Sequence, residues 1–343
     1  MSATLRDVAK MAGVSIGTVS QALNNRPNVS QETRSRVLDA AMAVGYQIRE
    51  ADMEGAEVGV SVIGMLAKHD YGLGQAVNSF YSHVERGVEM ECHRRGLNLM
   101  VGMVEVDECN RPLAWPPMVR EPMVDGLLLL GACIDEEVDQ IQRRKDIPLV
   151  LIDGYAPGFP YDNIVIDNAE GAHMAMKHLL DAGHRHIGLI GTNERSHPGV
   201  LVRRETYLSA LHKRGIPDSY IEDGKLGRVE ARQCTLRLLQ RCPQVTAIFA
   251  ASDDVALGVI DAVREIGGTV PETVSVVGFD NIDLAKEVVP NLTTVNVPKA
   301  WLGVLGVRQL IDRIQRPEQP RVNIAVSTQF VVRESTRSLV SDP

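Results

Sequence analysis

Residues 4–24 read Thr4-Leu5-Arg6-Asp7-Val8-Ala9-Lys10-Met11-Ala12-Gly13-Val14-Ser15-Ile16-Gly17-Thr18-Val19-Ser20-Gln21-Ala22-Leu23-Asn24. Thr4 can cap a helix, and Asp7 stands three residues on, at the reciprocal position of a capping box. Leu5, Val8, Ala9 and Ala12 recur at i, i+3, i+4 and i+7, which makes one apolar face. Gly13 suits the left-handed residue that ends a helix. Val14 plugs the turn, and Ser15 can cap a second, short helix with Val19, Ala22 and Leu23 facing inward. Loop residues follow at 24–28; then Ser30 caps a third helix striped by Val37, Leu38, Ala41 and Val44 and closed by Gly45. Two helices across a tight turn, completed by a third, predict either a helix-turn-helix or a generic three-helix bundle. The second helix decides between them. Its outward positions, Ile16, Gly17, Thr18, Ser20 and Gln21, carry no charge. A solvated face would carry Lys and Glu, whereas a face that enters a groove lined by phosphates excludes carboxylates.

This run resembles the opening of the lac repressor/galactose repressor family of bacterial transcription regulators, and residues 29–38 and 43–46 continue the match. The resemblance implies that Ile16, Gly17 and Gln21 hold the base-reading positions of a recognition helix. It also implies that Thr4, Ser15, Thr18, Ser20, Asn24 and Arg34 make phosphate and positioning contacts. Gln21 stands where many members carry Arg, and a Gln pairs bidentately with adenine rather than guanine.

Residues 1–50 hold six basic and four acidic side chains, a small positive surplus on a chain whose net charge is −8. A mildly basic head on an acidic body fits a polyanionic partner for the head. With 343 residues, 44% apolar and 23% charged, the chain is long enough for more than one packed domain. No apolar run is long enough to span a bilayer, and the N-terminus lacks the apolar core of a secretory signal. A cytoplasmic, nucleoid-associated protein with no membrane partner is expected. The five cysteines form no C-x-x-C pair and no metal-spaced group, so neither metal nor cofactor is expected.

Residues 48–59 form the expected linker between a head at 1–47 and a body at 60–338. In the family this linker is a hinge helix whose Leu wedges into the minor groove. Here residues 47–58 read Gln-Ile-Arg-Glu-Ala-Asp-Met-Glu-Gly-Ala-Glu-Val. Glu50, Asp52, Glu54 and Glu57 would face phosphates. Gly55, where the wedge is expected, disfavours a helix by roughly 1 kcal/mol relative to Ala. Weak or absent wedging by a flexible linker is expected, unless Met53 substitutes.

From residue 58 short apolar runs alternate with helical stretches. Strands are expected at 60–66, 97–101, 126–130, 149–152, 163–166, 186–190, 247–250 and 274–278, with helices at 82–95, 170–182, 203–214 and 229–240 among others. This alternation predicts an α/β body of two lobes with doubly wound parallel sheets. Ligands bind beyond the carboxyl ends of such strands. Those ends carry Asp153, then Ser252, Asp253 and Asp254, then Asp280 and Asn281. Asp after a strand is often a helix cap, and Asp253 is read mainly that way.

The resemblance extends over the body, through residues 250–258, 275–281, 292–295 and 332–337, and implies a periplasmic-binding-protein-like architecture with a ligand clamped between the lobes. Position by position it implies effector contacts from Arg203, Asp153 and Asp280. Ser252 stands where Asn is common, and Thr206-Tyr207 replaces Gly-Phe after Arg203. Phe80 and Tyr81 fall where aromatics line the cleft, and ordinary helix packing is an equal reading. Residues 68–77 look inserted beside that cleft; His69, Asp70 and Tyr71 either modify effector choice or are simply exposed. Together these readings predict a homodimeric, ligand-responsive regulator, by default a repressor, that binds a near-palindromic double-stranded operator. Its effector is expected to be a small polar molecule, a sugar or sugar derivative. No leucine-heptad tail suggests a tetramer. A transport-linked or cytosolic sugar-binding protein, or a sugar-modifying enzyme of α/β fold, are the rival classes. The second lacks any visible nucleophile, metal cluster or phosphate loop.

Overall fold

The computed structural model describes residues 4–23, 29–44, 60–69, 79–107, 111–121, 123–134 and 147–340. The head contains α1 (Leu5–Ala12), α2 (Ile16–Leu23) and α3 (Gln31–Ala43). The Asp7 carboxylate accepts from the Thr4 amide at 2.8 Å and the Thr4 hydroxyl at 2.7 Å, and Gly13 ends α1 in the left-handed region at φ 66°. Val8, Ala9, Ala12, Val19, Ala22, Val37 and Ala41 are buried together, with Leu5, Val14 and Val44 packed against them. The Ser30 hydroxyl accepts the Thr33 amide at 3.3 Å at the start of α3.

The body has two sheets. The first contains β1 (Val62–His69), β2 (Asn98–Glu105), β3 (Gly126–Leu130), β4 (Leu149–Ile152), β5 (Asp162–Ile166) and β11 (Asn323–Val326), in the spatial order β2-β1-β3-β4-β5-β11. The second contains β6 (Ile187–Ile190), β7 (Tyr220–Glu222), β8 (Ala247–Ala250), β9 (Ser275–Asp280), β10 (Thr293–Asn296) and β12 (Gln329–Val331), in the order β7-β6-β8-β9-β10-β12. The two orders match strand for strand. The ladders are parallel except for β10–β12, which is antiparallel.

Alternate residues of the central strands feed different cores. Leu128, Leu130, Val150 and Ile152 join one cluster, while Leu127, Leu129, Leu149 and Leu151 join another. Burial on both faces is why these strands read as unbroken apolar runs. In the second lobe Phe249, Val277 and Phe279 share the first cluster with the N-terminal lobe, whereas Ile248, Ala250 and Val276 line the opposite face.

Helix α4 (Ser79–Arg95) packs on α10 (Lys299–Gln315), and α10 covers β3, β4 and β5. The short α5 spans Pro117–Arg120. The second lobe carries α6 (Asn168–Asp181), α7 (Pro198–Lys213), α8 (Arg228–Arg241) and α9 (Asp253–Glu265). The chain passes between lobes three times: after β5, after β10, and between β11 and β12.

Several expected bounds move. β1 and β2 begin at Val62 and Asn98 and run on to His69 and Glu105, because the parallel ladder continues past the apolar run. The edge strands β7, β11 and β12 were not anticipated, and neither was β10, which lies inside the second sheet. All four are short and partly polar, the edge strands as expected of strands with one free side.

Candidate functional site

Two constellations of residues coincide with the expected positions. The first is the outer face of α2. Ile16 is 44% exposed. Ser15, Gly17 and Gln21 are exposed as well, and Thr18 is half-buried. The Ser15 hydroxyl accepts the Thr18 amide at 3.0 Å and meets the Thr18 hydroxyl at 2.8 Å, so it caps α2. Among the described residues a Cβ at Gly17 would meet only Ser15 Oγ, at 3.6 Å, which is ordinary contact. Packing among those residues therefore does not demand glycine there. Thr4 is exposed, Ser20 belongs to α2, and Arg34 lies half-buried in α3. Asn24, the linker and residues 70–78 lie outside the described residues.

The second constellation lies at the carboxyl ends of β3, β4, β8 and β9, where open α/β sheets take ligands. The Tyr81 hydroxyl, from the first turn of α4, donates to Asp153 Oδ2 at 3.0 Å. Its ring lies against the backbone at the end of β3: a Cβ on Gly131 would come within 2.2 Å of Tyr81 Oη. Burial, then the Asp153 charge, push the Tyr81 phenol well above its ordinary value, so it stays a donor. Phe80 is buried in the apolar core and meets Tyr81 edge-on at 5.0 Å.

Across the cleft, Arg203 on α7 is 5% exposed. Its Nε donates to Asn168 Oδ1 at 2.9 Å, a terminal nitrogen donates to the Ala251 carbonyl, and the other lies 3.8 Å from Asp280 Oδ1. The guanidinium stacks 3.7 Å above the Phe279 ring. Burial lowers its affinity for the proton, while Asp280 and Asp153 act the other way.

Asp280 and Asn281 hold left-handed backbone, φ 109° and 56°, and Asp153 does so at φ 51°. Non-glycine residues persist there only when their surroundings over-determine them. Lys299 Nζ, itself buried, grips the carbonyls of Asp280 and Asn281. Arg333 donates to Asn281 Oδ1 at 2.7 Å, and the Asn281 amide donates to Asn296 Oδ1 at 2.9 Å.

The expected cap at the end of β8 is corrected. Ser252 is the N-cap of α9, accepting the Val255 amide at 3.3 Å. Asp253 is the first helical residue and fully buried. Its carboxylate accepts the Ile282 amide at 2.8 Å and the Thr294 hydroxyl at 2.5 Å, tying α9 to the turn after β9 and to β10.

Burial pushes Asp280 up to about 7, against the pull of Arg203 and Lys299. Burial and the nearby Asp280 push Asp253 up to about 8. Both carboxyls hold protons in the folded state at pH values where the unfolded chain has released them. Their contribution to stability therefore falls as pH rises from the ordinary carboxylate range to about 8, by at most about 1.4 kcal/mol per pH unit for each group. Urea midpoints should be lower at about pH 8.5 than at about pH 6, and the Asp253→Asn variant should flatten that slope. An unchanged slope would remove Asp253 from the account.

Sequence reasoning placed Tyr81, Asp153, Arg203 and Asp280 together and missed Asn168, His197 and Lys299. A lone Lys opening the apolar run of residues 300–307, after Val297-Pro298, was the one signal available for the last.

Comparison with known proteins identifies the family of the chain. Residues 4–48 match the family described as bacterial regulatory proteins, lacI family, and residues 176–336 match a periplasmic binding protein-like domain. The HTH-type transcriptional repressor PurR of Photobacterium profundum is 32% identical over 98% of this chain and 99% of its own length. The structure of the transcriptional regulator CelR with cellobiose superposes with a TM-score of 0.69 at 28% identity, covering 97% of this chain and 99% of that one. A lacI family regulator from Enterococcus faecium with bound ribose gives 0.70 at 27% identity, covering 82% of this chain and all of that one.

Proposed function

Since this chain belongs to the lacI family of bacterial regulatory proteins, a family of ligand-responsive DNA-binding transcription regulators, we propose how its own residues divide that work. Residues 1–47 read the operator, residues 48–59 join the parts, and residues 60–338 sense a small molecule and dimerise. Ile16, Gly17 and Gln21 meet base edges. Thr4, Ser15, Thr18, Ser20, Asn24 and Arg34 meet or position phosphates. The observation that carries this half is the uncharged, exposed face of α2 with a glycine that packing among the described residues does not require.

The effector is a sugar or sugar derivative, held by Tyr81, Asp153, Arg203 and Asp280, with Phe80 and Ser252 supporting the walls. Relatives with cellobiose and ribose support this class. So does the meeting of a phenol donor, two acids and one stacked guanidinium at the strand ends. Ligand binding closes the lobes and resets the separation of the two heads in a homodimer. Ligand and operator affinities are then reciprocally linked. The exposed apolar edge of β2, with Val101 54% and Met103 61% exposed, supports pairing through the N-terminal lobe. The linker, with its four carboxylates and Gly55, wedges the minor groove weakly or not at all unless Met53 substitutes for the missing leucine.

Selection of bound sequences from a random DNA library at fixed salt, repeated with a sugar panel, tests the whole reading. A two-fold related site whose affinity changes with one sugar is the expected result; no preferred sequence in either condition would overturn it. Gln21→Ala should abolish an adenine preference at one position of each half-site, worth about 1–3 kcal/mol. Retention of that preference would assign Gln21 a different task.

A further inference from the structure

One contact between the lobes has no part in the division of work above. His197 immediately precedes α7. Its Nδ1 lies 3.2 Å from the Gly199 amide nitrogen, and its Nε2 lies 2.8 Å from the carbonyl oxygen of Asp153. An amide N–H only donates and a carbonyl only accepts, so Nδ1 must offer a lone pair and Nε2 must carry the hydrogen. The ring is therefore neutral and in a single tautomer. Burial pushes its proton affinity below the ordinary value, which agrees. Tyr155 meets the ring edge-on at 5.2 Å and limits its rotation.

The two nitrogens thus do separate things. Nδ1 caps α7 within the second lobe, while Nε2 ties α7 to the end of β4 in the first. Both ends of that tie lead into the ligand-reading cluster. Six residues along α7 is Arg203, beside Asp280. On the other side the same Asp153 that supplies the carbonyl accepts the Tyr81 hydroxyl through its carboxylate, and holds a left-handed backbone.

We infer that His197 is a positioning residue, its Nε2–H to Asp153 hydrogen bond being the tie that holds α7 and the β4 end in register across the cleft before ligand arrives. This rests on the reading of a closing cleft given above. The His197→Asn variant separates the two contacts. Asn is a good helix N-cap and replaces the Nδ1 acceptor, but its short amide does not reach Asp153. His197→Ala loses both contacts, and His197→Gln restores a donor at about the reach of Nε2.

The test uses full-length protein carrying spin-labelled unnatural residues at His93 on α4 and Lys213 on α7, read by dipolar distance measurement without added ligand. The unsubstituted protein should give one narrow distribution. His197→Asn should give a longer and broader one with a melting midpoint close to the parent. His197→Ala should show the same broadening with a midpoint roughly 2–4 °C lower. His197→Gln should recover the narrow distribution. An Asn variant as narrow as the parent would overturn the role of His197. A parent that is already broad would instead overturn the reading of a cleft with one defined lobe separation before ligand binds. Ring nitrogen shifts in the parent at neutral pH should place the hydrogen on Nε2, and a hydrogen on Nδ1 would also overturn the inference.

Discussion

Replacing Gly87 with alanine should cost the body about 3 kcal/mol, the upper end of the range for one inserted methyl group. A Cβ at Gly87 would lie 1.9 Å from the Ala300 carbonyl oxygen and 2.7 Å from its carbon. The obstruction is backbone, so no rotamer relieves it. The facing residue on α10 is also a glycine: a Cβ at Gly303 would lie 2.2 Å from the Val84 carbonyl oxygen. Helices α4 and α10 therefore cross with their main chains touching. Any side chain at the crossing must force α4 and α10 apart. Urea denaturation of Gly87→Ala beside Gly96→Ala checks this. Gly96 has φ 67° with open space around it, so its substitution should cost only the left-handed backbone penalty, about 1–2 kcal/mol. Equal losses in the two variants would show that the close approach carries no weight.

At about pH 8, where the Asp280 carboxyl has lost its proton, Arg203→Leu should abolish the ligand response and destabilise the body by about 3–5 kcal/mol, because it strands that carboxylate in a buried site. It also orphans the Asn168 side-chain oxygen and the Ala251 carbonyl that the guanidinium satisfies. Pairing it with Asp280→Asn should recover much of the stability, since a neutral amide tolerates that environment. The double variant should still fail to respond to any sugar, because the cleft has lost the guanidinium stacked on Phe279. Operator affinity measured without ligand should survive, since the head packs as its own apolar cluster. Loss of operator binding in a folded double variant would mean that the cleft supports the head directly.

The sequence was most readable where one physical constraint acted alone. The three head helices followed from caps and apolar spacing, because each is short, each start is marked by Thr4, Ser15 or Ser30, and Gly13 marks the end of the first. Strands β3, β4 and β8 were legible to the residue because burial on both faces leaves no polar interruption. The edge strands were not, since Gln329 and Asn323 carry no periodic signal. Within the cleft, Asp153 and Asp280 were visible as acids after apolar runs. Their grip was not: Asn168, His197 and Lys299 act through contacts that join distant segments, and only Lys299, ahead of an apolar run, carries a local mark. Asp253 was misread for the same reason. Its partners, Ile282 and Thr294, lie 29 and 41 residues away.

Strands β11 and β12 follow one another with only Ser327 and Thr328 between them, yet each completes a different sheet. As the polypeptide leaves the ribosome, both halves of the body wait for the same short passage, residues 323–331. Until it emerges, β5 and β10 each keep a bare flank. Sensing competence in the two lobes is thus acquired together and late, so a nascent chain can expose a finished DNA-reading head well before it has anything with which to detect a metabolite.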